Sequence, residues 1–217
     1  MSVALFACRH YRLVLGLVLL VQIALIVVVK LSLGRVEQLC WFCHISLGIA
    51  ALGLLTRSGM LTSIALTNIV ILHMLSILDL LCWKANGEFP FGLSSYVVSL
   101  RQWTRLATTH HLFLLPLLLI VFIRDGRYPR ETWLISTTSF VWALLITRAV
   151  TSPSNNVNYA FFVPDSLTWS GLAALNASPG EFYPLGLSVV VSVTVFLPAS
   201  VCLSWLAKSR ELVNALA

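Results

Sequence analysis

Charge is what this sequence has least of. Only 10% of its 217 residues are Asp, Glu, Lys or Arg, where a soluble domain carries about 25%. A water-facing surface cannot be built from that inventory. Acid is scarcer than base, eight residues against fourteen, but the basic residues are scattered over short loops and tails and form no stripe. The pI near 9.4 is therefore explained by membrane topology rather than by a nucleic-acid partner. Cysteines number five, which is no disulfide scaffold in a chain of this size. Segments of about ten residues with alternating polarity, the mark of a membrane β-barrel, are absent. No small-residue cleavage site follows the basic pair Arg9 and Arg12, so the first apolar run reads as a retained signal anchor. Internal repeats and low-complexity segments are lacking too.

Apolar residues fill the space left by charge. They make up 59% of the chain, the mean hydropathy is +0.92, and runs of about 20 recur, each long enough to cross a hydrocarbon core of about 30 Å as a helix. The expectation is an all-α, polytopic membrane bundle of about six transmembrane helices. A basic tail covers residues 1–12, the six-helix domain 13–206, and a C-terminal tail 207–217. The spans are placed at Leu13–Leu33, Leu39–Leu55, Leu61–Leu81, Leu106–Ile123, Trp133–Val150 and Leu185–Leu206. Thr56-Arg57-Ser58-Gly59 is a turn, and the loop Thr151–Tyr183, with three prolines and an Asn-rich stretch, cannot be one regular helix. With six spans, eight Lys and Arg collect on the side of the termini and six on the other, which favours cytoplasmic termini.

If spans alternate, the start of span two, the end of span three, the start of span four and the end of span five share one membrane face. Cys40, Cys43 and His44 lie at the first of these places, Asp79 and Cys82 at the second, His110 and His111 at the third, and Asn155, Asn156, Asn158 and Tyr159 at the fourth. Ionisable groups are costly at a bilayer, so their convergence is a candidate site; the bland reading is interfacial residues in contact with headgroups and water. Cys43 falls in the first turn of a predicted helix, where unpaired amides favour a thiolate, and a histidine at matching depth is a candidate base. His73, mid-span, reads as a hydrogen-bonding partner for a neighbouring helix. Trp133, Trp142 and Trp169 read as interface anchors or packing residues.

Cys40-Trp41-Phe42-Cys43-His44 has the C-x-x-C-H form of c-type haem attachment, but it runs straight into an apolar helix with no soluble pocket. As C-x-x-C at the start of a second span it resembles the quinone-linked thiol oxidases of the DsbB and vitamin K epoxide reductase type, with Cys82 alone offered as a further thiol at that face. A third resemblance covers most of the chain. Gln38-Leu39-Cys40-Trp41-Phe42-Cys43-His44-Ile45-Ser46-Leu47 with Leu54-Leu55-Thr56-Arg57-Ser58, then Thr109-His110-His111-Leu112, Gly126-Arg127-Tyr128-Pro129 to Trp133, and Asn158-Tyr159-Ala160-Phe161-Phe162-Val163-Pro164 with Ser166, is similar in order and spacing to the YwaF-like family of bacterial integral membrane proteins.

That family is distantly similar to a eukaryotic transmembrane acyltransferase acting on ether phospholipids through a Cys and a His. The resemblance implies Cys43 as nucleophile and, by its spacing to Gly126, His111 rather than His110 as the family histidine. It implies membrane lipids as substrates, no cofactor and no metal, and the cell (inner) membrane if the source is bacterial. Asp79, Asn158, Tyr159 and Cys40 are the supporting polar residues. Cys40 and His44 fall outside the family pattern, and the family usually has one more N-terminal span. A thiol-disulfide oxidoreductase using Cys40 and Cys43, or a non-enzymatic membrane subunit, remains the alternative.

Overall fold

The structure is a computed structural model and describes residues 3–125, 128–165, 167 and 172–216. Among them there are seven α-helices and no strand: α1 (Val3–Ser32), α2 (Phe42–Leu55), α3 (Gly59–Asn86), α4 (His110–Asp125), α5 (Thr132–Val150), α6 (Tyr183–Val191) and α7 (Leu197–Leu216). A π-helical turn, Ser192–Phe196, fuses α6 to α7. Five segments are long and apolar enough to cross a membrane: His10–Ser32, Gly59–Asn86, Thr104–Asp125, Thr132–Val150 and Tyr183–Ser209. The protein is thus an all-α polytopic membrane bundle. Large apolar side chains point outward all round it, Val21, Val28, Leu81, Ile123, Val150 and Trp205 among them, as a lipid-facing surface requires.

The second predicted span is the exception in length. As α2 it has 14 residues, a length of about 21 Å at 1.5 Å per residue. It packs between α1 and α3. Its C-terminal cap has the Schellman form: the Ser58 amide donates to Gly53 O at 2.8 Å and the Arg57 amide to Leu54 O at 3.3 Å. Arg57 itself adopts φ 57°, the left-handed conformation such a cap demands. Ser58 then accepts from the Leu61 amide as the N-cap of α3. The chain turns back at once, and α2 and α3 lie closely side by side. Gly53 makes the approach possible, since a Cβ there would stand 2.8 Å from the backbone N of Thr62 and 3.0 Å from Leu61 Cβ. Gly53→Ala should therefore push the two helices apart and cost about 1–3 kcal/mol, seen as a lowered midpoint in thermal unfolding of the detergent-solubilised protein. An unchanged midpoint would show that the hairpin yields without strain.

The tight hairpin fixes depth. Counting outward from the turn, Cys43 lies about 18 Å along α2 and His73 about 21 Å along α3, whereas Asp79 lies about 30 Å along α3. Cys43 is therefore within about 3 Å of the level of His73 and roughly 12 Å short of Asp79 by the same rise per residue. α4 repeats the measure from the far end: Asp125 is paired with Arg12 of α1, and His110 lies about 22 Å above it.

Asp79 has a structural role. Its carboxylate is fully buried and accepts the backbone N–H of Phe91 at 2.7 Å and of Ser94 at 3.0 Å, tying the loop after α3 back onto the helix. Asp79→Ala would leave two amides unpaired, at about 1–3 kcal/mol each. Asp79→Asn retains one acceptor oxygen and should lose about half as much stability. Equal thermal midpoints for the two variants would refute this account.

Two apolar clusters hold the bundle. One joins α1, α2, α3 and α4 through Leu19, Ile26, Leu47, Leu54, Leu66, Leu114 and Leu118, and the other joins Phe42 to Phe140, Leu144, Tyr183, Leu187 and Phe196 of α5, α6 and the π-turn. Phe42 and Ile45 at the start of α2 thus pack with the second cluster, and Leu47, Ala50, Ala51 and Leu54 with the first. The N-terminus of α2 stands at their junction.

Candidate functional site

α2 begins abruptly, with Trp41 still in an extended conformation (φ −54°, ψ 133°). No side chain of its own caps it. The cap comes from far along the chain: Asn158 accepts the Phe42 N–H on Oδ1 at 2.6 Å and donates Nδ2 to Cys40 O at 2.7 Å and to Thr147 Oγ1 at 3.0 Å. Asn158 adopts φ 56°, which Asn tolerates better than most residues. Trp41 packs edge-on against Tyr159 with centroids 5.8 Å apart, and Tyr183 Oη donates to Tyr159 O at 2.9 Å. The loop after α5 thereby clamps the start of α2.

Cys43 and His44 occupy the first turn so fixed. Cys43 Sγ and one ring nitrogen from each of His44 and His110 lie within 4.8 Å of one another. The tautomers follow from the surrounding carbonyls. His110 Nδ1 lies 3.0 Å from Ala107 O and His44 Nδ1 lies 3.0 Å from Gln38 O. A carbonyl only accepts, so each Nδ1 carries the proton and each Nε2 presents a lone pair. Gln22 reinforces the arrangement by donating Nε2 to Leu106 O and Ala107 O at 3.1 and 3.3 Å.

The imidazoles continue as a stack. His44 and His110 centroids are 5.4 Å apart, His110 and His111 4.2 Å, His111 and His73 4.6 Å, and His73 and His110 6.2 Å. Four of the five histidines of the chain thus meet, from α2, α3 and α4. His110 is wholly buried and His73 nearly so. His110 Nε2, His111 Nδ1 and both nitrogens of His73 have no hydrogen-bond partner. Such orphans are rare in buried structure, where polar atoms are as a rule paired.

Other polar groups surround the thiol. Lys30, near the thiol, donates to Gln38 Oε1 at 2.7 Å. Burial first, then the neighbouring Cys43, pushes the Tyr159 hydroxyl above its ordinary range, and Tyr96 behaves alike. Both therefore remain protonated donors at neutral pH. Burial and then Glu37 push the Cys40 thiol up as well. Beside the stack, a cavity of about 180 Å³ is lined by Ser94, Tyr96, Arg105, Thr109 and His111, among others.

Set against the sequence, Cys43 and His110 meet, and His111 stands one ring behind His110. Asn158 and Tyr159 hold the start of α2, and the Cys40 carbonyl is part of that clamp. Asp79 lies farther out along α3, where it ties down the loop that follows. Cys40, Cys43 and Cys82 are free thiols, and so is Cys202. Asn156 braces its own loop through Phe161 N and Phe162 O, and Asn155 is exposed. Trp142 is 60% exposed, as an outward-facing residue of a lipid-embedded helix should be. Gly126, Arg127, Ser166 and Trp169 lie outside the described residues. From sequence His44 stands among the converging residues without a role in the chemistry, and His73 stands apart from them. His44 is the neighbour of Cys43, and His73 becomes visible when residues are counted outward from the Thr56–Ser58 turn.

Comparison of the chain with protein-family models, with curated proteins and with solved structures finds no match.

Proposed function

We propose that this protein is a membrane lipid acyltransferase that works through a covalent thioester on Cys43. The observation that carries the reading is Cys43 Sγ within 4.8 Å of ring nitrogens of His44 and His110, inside a bundle whose outer surface is apolar. The resemblance of the Gln38–Pro164 motifs to YwaF-like membrane proteins supports the reaction class. An open apolar groove of about 400 Å³ lined by Val14, Leu17, Val18, Val21, Gln22 and Phe113 supports an acyl substrate. Gln22 in its lining donates to the same Ala107 carbonyl that orients His110.

The steps follow from the tautomers. His110 Nε2 takes the thiol proton as Cys43 Sγ attacks the ester carbonyl of a phospholipid. The Cys43 N–H, in the first turn of α2, and the protonated Tyr159 are the donors at hand for the oxyanion. As the tetrahedral intermediate collapses, the C–O bond breaks and the lysolipid alkoxide leaves with the proton from His110. An acceptor hydroxyl then gives its proton to His110 and attacks the thioester, and the released Cys43 takes that proton back. Arg105, on the rim of the smaller cavity, supplies a cation for a phosphate headgroup.

Lipidomics of cells carrying wild-type protein, Cys43→Ala or Cys40→Ala tests the reading. Acyl chains should be redistributed among phospholipids by wild type and by Cys40→Ala but not by Cys43→Ala. Identical lipid profiles for all three would point to a non-enzymatic membrane subunit instead.

A further inference from the structure

The donor set of the site has a second chemistry. One thiolate and two imidazoles are the borderline-soft donors that bind a divalent ion of the zinc class, and their spacing needs only a small contraction to surround one. Each histidine donates its Nδ1–H to a backbone carbonyl, Gln38 O for His44 and Ala107 O for His110, both at 3.0 Å. This is the outer-shell bond by which proteins orient metal-ligating histidines with Nε2 free to bind. An independent observation points the same way: His110 is wholly buried, and its Nε2 has no partner at all.

The geometry points to a binding site for one zinc-class divalent cation, held by Cys43 Sγ, His44 Nε2 and His110 Nε2 with a fourth position open. On binding, the Cys43 S–H bond breaks, an S–metal bond forms, and one proton leaves to solvent. His73 and His111 stand behind His110, at 6.2 and 4.2 Å between centroids, and pack it in place. The bound ion takes up both the nucleophile and the base of acyl transfer, so it switches that reaction off; this consequence alone rests on the acyl-transfer reading.

Cobalt(II) titration of the full-length protein in detergent tests the site without reference to activity. A thiolate-to-cobalt charge-transfer band should grow to one equivalent, with release of one proton per ion, and zinc should abolish it by displacement. Cys43→Ser should lose the band, His44→Ala and His110→Ala should weaken binding by about a hundredfold or more, and Cys82→Ala should leave it unchanged. Because a substitution within the bundle can disturb folding, the wild-type protein supplies a second measurement: one equivalent of zinc should protect Cys43, but not Cys202, from alkylation by a membrane-permeant maleimide. Absence of the band, a band that persists in Cys43→Ser, or alkylation of Cys43 at an undiminished rate would each overturn the proposal. Ion binding in a protein that forms no acyl adduct even after the metal is stripped by chelator supports the metal site and sinks the acyl-transfer reading. An adduct in a protein that binds no ion does the reverse.

Discussion

Cys43→Ala should abolish a hydroxylamine-sensitive acyl adduct that wild-type protein forms with labelled phospholipid, and should lower transfer to a lysolipid by at least about 10³-fold, since a covalent route leaves nothing behind when its nucleophile is removed. The bundle tolerates the loss, because Cys43 is only partly buried and Ala favours the helix. The histidines should separate by role. His110→Ala removes the ring nearest the thiol and should lower the rate by about 10²–10⁴, the usual worth of a general base. His111→Ala, one ring farther, should cost about tenfold, through the packing of His110. An adduct retained in Cys43→Ala and lost in Cys40→Ala would sink the assignment. A larger loss in His111→Ala than in His110→Ala would move the base to the family histidine.

Asn158→Ala should produce the largest loss of stability of any substitution in a loop. It removes three hydrogen bonds and leaves the Phe42 N–H and the Cys40 carbonyl unpaired beside apolar neighbours, a penalty of about 2–5 kcal/mol in total. It also places Ala where φ is 56°, an added strain of about 1 kcal/mol. Asn158→Gly relieves that strain without restoring the bonds, so it should recover only the smaller part. Asn158→Asp keeps the acceptor for Phe42 N–H and should fall between Asn158→Ala and wild type. Thermal unfolding gives the order of the four proteins, and the alkylation rate of Cys43 reports whether the first turn of α2 has frayed. If Asn158→Ala matched wild type in both, the clamp would be incidental to the site.

The helices were legible because nothing in the sequence competes with them: apolar runs of spanning length have one backbone solution in lipid. Parity of spans was enough to bring Cys43 and His110 to one end of the bundle. What parity cannot give is depth within that end. It treats the end of α3 as one place, so Asp79 and Cys82 stood with the site and His73 stood apart. The α2–α3 turn reverses this, because helices joined by a Schellman cap are level at equal distances from it. Asn158 was placed at the right end, but its role depends on φ 56° and on three partners, two of them more than a hundred residues away. No local pattern encodes such contacts. The tautomers of His44 and His110 lie beyond sequence for the same reason, being set by carbonyls of particular turns.

The fourteen residues of α2 bear on what the thioester becomes. Two acceptors compete for it, water and the hydroxyl of another lipid. Water thins out steeply below the headgroups, while lipid acceptors are concentrated in the plane of the bilayer. A thiol about 12 Å short of Asp79 along the helices meets far more of the second than of the first. Under the proposed acyl transfer, the length of one short helix would set a partition ratio, toward remodelled phospholipid and away from free fatty acid.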